Sequence, residues 1–207
     1  MLNELLKRYP QLEESKDAIE NVTEKMISAF KSGNKLLVCG NGGSCADSDH
    51  IVGELMKGFL LRREIPQEHR DTLNKLFPDY SKYLADNLQG ALPAISLTNH
   101  SGLISAFAND VAPDMVYAQQ VYGYGKKGDI FIGLTTSGNS ANVLNAAMVA
   151  KTLGMTVIGM VGQKECKLDK IADIVIHAPE TETFKVQELH LPIYHYLCAA
   201  CEQHFFI

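Results

Sequence analysis

The stretch LLVCGNGGSCADSDHIVGEL, residues 36–55, decides how this chain is read. A short apolar run at 36–39 meets a glycine-rich turn, Gly40-Asn41-Gly42-Gly43-Ser44, after which the pattern takes a helical period. Working outward, short apolar runs recur at 94–97, 130–134, 156–161 and 174–177, each bounded by turn residues and each reading as a buried strand. Helical patterns fall between and around them, at 2–31, 44–60, 101–108, 114–122, 140–153, 168–172 and 183–206. Strands alternating with helices predict an α/β, doubly wound three-layer sandwich of about five parallel strands, because parallel strands need crossovers and the helices are those crossovers. The whole chain, 1–207, is expected to form one domain. Residues 61–90, polar and carrying Pro66 and Pro78, break the alternation and are expected to be a helical insertion on the surface.

Composition narrows the function. A net charge of −5 argues against a nucleic-acid partner, since backbone phosphates demand a clustered basic surface. No run of apolar residues is long enough for a membrane span, and the first residues lack a signal-peptide pattern, so a cytoplasmic protein is expected. The cysteines at 39, 45, 166, 198 and 201 are scattered, which suits reduced thiols; Cys198 and Cys201 lie within a helical pattern and are read as core.

Two turns stand out chemically. The first is Gly40 to Ser44; the second is Thr135-Thr136-Ser137-Gly138-Asn139-Ser140, after the third strand. Both combine glycine, which lets backbone N–H groups approach a ligand, with hydroxyls and a following helix whose positive end favours an anion. Neither contains the lysine of a Walker A loop, and GNGGS is a poor match to a dinucleotide fingerprint. Glycine and serine also make ordinary turns, but two such loops, read here as following non-adjacent strands of one sheet, favour a small phosphorylated ligand.

The helix after the first turn carries His50 and Glu54 at i and i+4, on one face. That spacing suits a divalent metal as well as a plain helix-surface ion pair. Gln187 and His195, two turns apart on the last helix, are in reach of the same face if the helices pack, with His190 a competing ligand. His69, His100, His177 and His204 have no partner by spacing.

The pieces GNGGS with DSDHIVGEL, AND at 108–110, GDIFIGLTTSGNSANVLNAA at 128–147 and VQELHLPIYH at 186–195 occur in the order of the sugar isomerase, or SIS, domain, and the H-x-x-x-E with Q-E-x-H-x-x-x-x-H resembles its phosphoheptose isomerases. The resemblance implies a flavodoxin-like fold and a homotetrameric, zinc-dependent enzyme. It would convert sedoheptulose 7-phosphate into D-glycero-D-manno-heptose 7-phosphate through a cis-enediol. It assigns Asn41, Gly42, Ser44, Thr135, Thr136, Ser137 and Ser140 to the phosphosugar. His50, Glu54, Gln187 and His195 become the metal ligands, with Glu54 and Gln187 also meeting substrate, and Glu54 and His195 moving protons. At 98–100 the family often has an aspartate; Asn99 is the substrate contact expected there, and an amide cannot act as a base. Non-catalytic SIS regulators are the alternative, but the regulator that binds a replication-initiation protein lacks the glutamate that Glu54 supplies here.

Overall fold

The structure, a computed structural model, describes residues 1–207. Strands β1 (Leu36–Gly40), β2 (Ala94–Ser96), β3 (Ile130–Leu134), β4 (Thr156–Val161) and β5 (Ile174–His177) form one all-parallel sheet in the order β2-β1-β3-β4-β5. This is the doubly wound α/β sandwich that the alternation predicts. Strands β1 and β3 are buried along their whole length, which is why they read as continuous apolar runs rather than as alternating ones.

Alternate residues serve opposite cores. Leu36, Val38, Ile132, Leu134 and Ile158 face the layer that holds α2 (Lys16–Lys31), α3 (Gly43–Met56) and the last helix, Thr183–Phe206. Leu37, Cys39, Phe131 and Val157 face the layer that holds Val116–Tyr124 and Ala141–Thr152. The period of two in strand side chains creates both cores from the same five strands. In chain order the helices are α1 (Leu2–Arg8), α2, α3, α4 (Gln67–Leu76), α5 (Pro78–Asn87), α6 (Ser101–Asp110), α7 (Val116–Tyr124), α8 (Ala141–Thr152) and α9 (Thr183–Phe206).

One expectation is corrected in a way that matters for function. The strands that precede the two unusual turns are neighbours, paired from Leu36↔Ile130 to Gly40↔Leu134. After β2 the chain crosses back and adds β3 on the other side of β1. The carboxyl ends of β1 and β3 therefore form the switch point at which this class of sheet binds ligands.

Other boundaries move for local reasons. The helix expected over 2–31 is split by a 3-10 turn at Pro10–Ser15, since Pro10 has no N–H to give and its ring excludes the preceding residue from helical geometry. Helix α3 stops at Met56, where Lys57 turns extended, rather than at residue 60. Residues 168–172 make only a 3-10 turn, Leu168–Lys170, and 114–122 becomes a 3-10 turn at Pro113–Met115 followed by α7.

Residues 61–90 form α4 and α5, and α4 buries nothing. Their root is different. Arg63 is 1 % exposed; its Nε donates to Glu202 Oε1 at 2.8 Å, and its other nitrogens donate to the carbonyls of Leu55 (2.6 Å) and Glu54 (2.9 Å). Glu202 also accepts from the Phe59 and Leu60 amides, each at 2.7 Å. Burial works against the Glu202 carboxylate, but those amides and Arg63 outweigh it and hold its pKa below the usual range. Loss of one partner strands a buried charge, so Arg63→Met is expected to cost about 3–5 kcal/mol of stability in urea unfolding at neutral pH.

Candidate active site

Because β1 and β3 are adjacent, their two turns face each other across a cleft of about 300 Å³. It is lined by Asn41, Gly42, Gly43, Ser44, Thr135, Thr136 and Ser140, with Thr183 and Gln187 from the start of α9. Helices α3 and α8 begin directly after these turns, so their positive ends border the cleft. No lysine or arginine lines it. An anion bound here would be held by hydroxyls, amides and helix ends.

The turns are internally braced. Gly42 has φ +57°, a conformation open to glycine but strained for other residues, and it turns the chain into α3. Asn41 and Asn142 exchange two amide hydrogen bonds of 2.9 Å, tying the first turn to α8. Tyr117 Oη donates to the Gly40 carbonyl at 2.8 Å. In the second turn Thr135 and Ser140 hydroxyls lie 2.9 Å apart. Ser137 is not part of the lining; its hydroxyl accepts from the Asn139 amide at 3.2 Å and shapes the turn. Gln187 covers Gly43 so closely that a Cβ there would lie 2.6 Å from its Nε2. Thr183 and Tyr117 carried no local signal in the sequence, because each reaches the site from another element.

Beyond the first turn, α3 presents Asp47, His50 and Glu54 toward α9, which supplies Tyr194 and His195. His50 Nε2 is 3.3 Å from Glu54 Oε1, and the rings of His50 and His195 meet edge to face with centroids 4.9 Å apart. Lys57 Nζ lies 3.4 Å from the other Glu54 oxygen. Burial, reinforced by His50 and opposed by Glu54, lowers the pKa of His195 below the ordinary imidazole range, so it is neutral at pH 7. Its Nε2 is buried without a hydrogen-bond partner. Thus His50, Glu54 and His195 are gathered, while Gln187, on the same helix as His195, stands at the cleft. No three His, Cys, Asp or Glu side chains are arranged to enclose an ion by themselves.

The remaining residues from the sequence reading fall elsewhere. Asn99 donates to Asp49 Oδ1 at 2.8 Å, an oxygen that also accepts from the hydroxyls of Ser96 (2.5 Å) and Thr98 (2.8 Å). The carboxylate at this turn thus comes from α3, a pairing that sequence distance hides. His177, without a partner by spacing, sits between Asp169 (3.0 Å) and the Gly162 carbonyl (2.8 Å). His190 is buried with its Nε2 3.3 Å from the Val161 carbonyl, away from the His50 group. Cys198 and Cys201 are both core residues.

The SIS domain family model matches residues 2–75 and 75–162. A phosphoheptose isomerase of Synechocystis is 36 % identical over 189 residues, 91 % of this chain and 84 % of that protein. One from Aneurinibacillus thermoaerophilus is 33 % identical over 91 % of this chain and 82 % of its own length. This chain belongs to the SIS domain family. The structure of a phosphoheptose isomerase from Francisella tularensis superposes on this SIS domain with a TM-score of 0.72 and 28 % identity, covering 98 % of both chains. No helix of this SIS domain protein is long and apolar enough to cross a membrane.

Burial of His190 pushes its pKa down to about 4. The unfolded chain takes up that proton near the ordinary value of about 6.5, and the folded chain refuses it. Stability is therefore complete above that range and falls as pH drops from about 6.5 toward 4, by about 3 kcal/mol at most. Urea unfolding at neutral and mildly acidic pH should show this slope in the wild type and a flatter one in His190→Gln.

Proposed function

We propose that this protein is a phosphosugar isomerase that interconverts sedoheptulose 7-phosphate and D-glycero-D-manno-heptose 7-phosphate. The observation that carries the reading is the placement of His50, Glu54 and His195 one to three helical turns beyond a polar, lysine-free cleft, on helices that also line that cleft. The similarity to phosphoheptose isomerases over most of both chains supports the substrate class.

In this reading the phosphate lies among Ser44, Thr135, Thr136 and Ser140, with the amides at the starts of α3 and α8 completing its shell. The sugar then extends along α3 toward Glu54. Anchoring one end and presenting the base at the other fixes the reacting carbons. The proton beside a carbonyl is too weakly acidic for an unaided carboxylate, and the developing enediolate needs a positive neighbour.

The donors suit zinc: one carboxylate, two imidazoles and an amide oxygen, with His195 Nε2 buried and lacking a partner. His50, Glu54, Gln187 and His195 would hold it, and bound zinc would act as a Lewis acid toward the substrate oxygens. Glu54 takes the proton from one carbon. His195, neutral at pH 7, accepts and returns a proton on the other side, and its burial keeps it in that form. Gln187 joins the two ends, since it borders the cleft and belongs to the helix that carries His195.

A homotetramer is part of the same proposal. His195 also borders an apolar groove between α1 and α9, with Leu5, Phe59, Leu60 and Leu191 along it, and Leu60 is 65 % exposed. Neighbouring subunits are expected to cover this surface. A purely phosphosugar-binding regulator is the weaker reading, because it gives Glu54 no task.

The deciding experiment offers sedoheptulose 7-phosphate and a panel of other ketose and aldose phosphates to the purified protein with and without zinc, and identifies the products. Glu54→Gln is expected to lower kcat by about 10²–10⁴-fold while calorimetry finds phosphosugar affinity little changed; full activity would remove Glu54 as the base. Exhaustive chelation should stop turnover and added zinc restore it. Undiminished turnover with zinc verified absent would eliminate the metal.

A further inference from the structure

His50 is held from its far side as well. Tyr194 Oη lies 2.9 Å from His50 Nδ1 and donates to Asp47 Oδ1 at 3.1 Å. The Tyr194 side chain is 1 % exposed, and its ring stands edge to face against both His50 (5.4 Å) and His195 (5.1 Å), so the phenol has little freedom to leave. A carboxylate only accepts hydrogen bonds, a phenol has one proton, and a neutral imidazole has one N–H and one lone pair. For the neutral ring these limits leave a single arrangement in which Asp47, Tyr194 and Nδ1 of His50 are satisfied together. Tyr194 gives its proton to Asp47, and the Tyr194 oxygen accepts from Nδ1–H of His50.

The lone pair of His50 is then on Nε2, the atom 3.3 Å from Glu54 Oε1. Two electron-rich atoms at that distance repel each other unless a cation lies against both. We propose that Asp47 and Tyr194 are positioning residues that lock His50 as the Nδ1–H tautomer and so offer Nε2 as a ligand to a divalent cation shared with Glu54. Their task matches the outer partners that orient metal-binding imidazoles, here with a phenol interposed between ring and carboxylate. The identity of the cation rests on the isomerase reading above; the tautomer is a property of the metal-free chain.

The test uses metal-free protein with isotope-labelled histidine, held above the imidazole range, in which proton–nitrogen correlation spectra show which ring nitrogen of His50 bears the proton. Wild type is expected to show Nδ1–H. Tyr194→Phe should lose that preference. Asp47→Ala should reverse it, because the freed phenol turns its proton toward Nδ1 and leaves Nε2 protonated, an outcome that loss of packing alone would not produce. Competition with a chromogenic chelator should then show zinc affinity falling about 10–100-fold in both variants. Nε2–H in the wild type, or a tautomer unchanged in both variants, overturns the proposal. A wild type that shows Nδ1–H, loses it in the variants and yet binds no zinc retires the metal reading and leaves the positioning role standing.

Discussion

The pairing of β1 with β3 is the constraint on which the rest of this molecule depends. Each strand ends in a turn rich in glycine and hydroxyls, and each turn opens a helix. Separately they would be two polar turns at two helix ends. Paired in register from Leu36↔Ile130 onward, they become two walls of one cleft, and the positive ends of α3 and α8 act on the same volume. The register also fixes what lies next to that cleft, because α3 can lead only along the sheet face set by its first residues.

Helix α3 carries three carboxylates toward different surroundings. Asp49 is engaged by Ser96, Thr98 and Asn99 at the end of β2. Asp47 accepts from Tyr194. Glu54, nearly two turns further on, faces His50 and the end of the helix, where Lys57 stands. The same functional group therefore meets three different surroundings on one helix, distinguished by what the packing brings opposite. The cleft itself has no lysine or arginine, and the ionisable groups His50, Glu54 and Lys57 lie beyond it, on α3 and at its end.

The far end of α3 is secured by Arg63, whose guanidinium binds the carbonyls of Glu54 and Leu55 as well as Glu202. A buried ion pair is a costly way to join two segments. Here its hydrogen bonds satisfy the last carbonyls of the helix that bears Glu54 and also close the root of α4 and α5. The hairpin itself exposes Phe77, Tyr80 and Tyr83, so its tie to the molecule lies in its base more than in its packing.

Much of this was legible in the sequence because it is local. Continuous apolar runs meant strands buried on both faces, glycine turns followed by helical periods meant crossovers, and His50 with Glu54 lay on one face by spacing alone. The break at Pro10 was written there too, but the apolar period on either side of it hid the interruption. Only the tertiary structure decided that β1 and β3 are neighbours, that Asn99 meets Asp49, that His190 points into the core and that Tyr194 stands between Asp47 and His50. Strand order and helix-to-helix contact depend on the packing of segments far apart in sequence, 147 residues for Asp47 and Tyr194, and periodicity carries no information about which distant face a given face will meet.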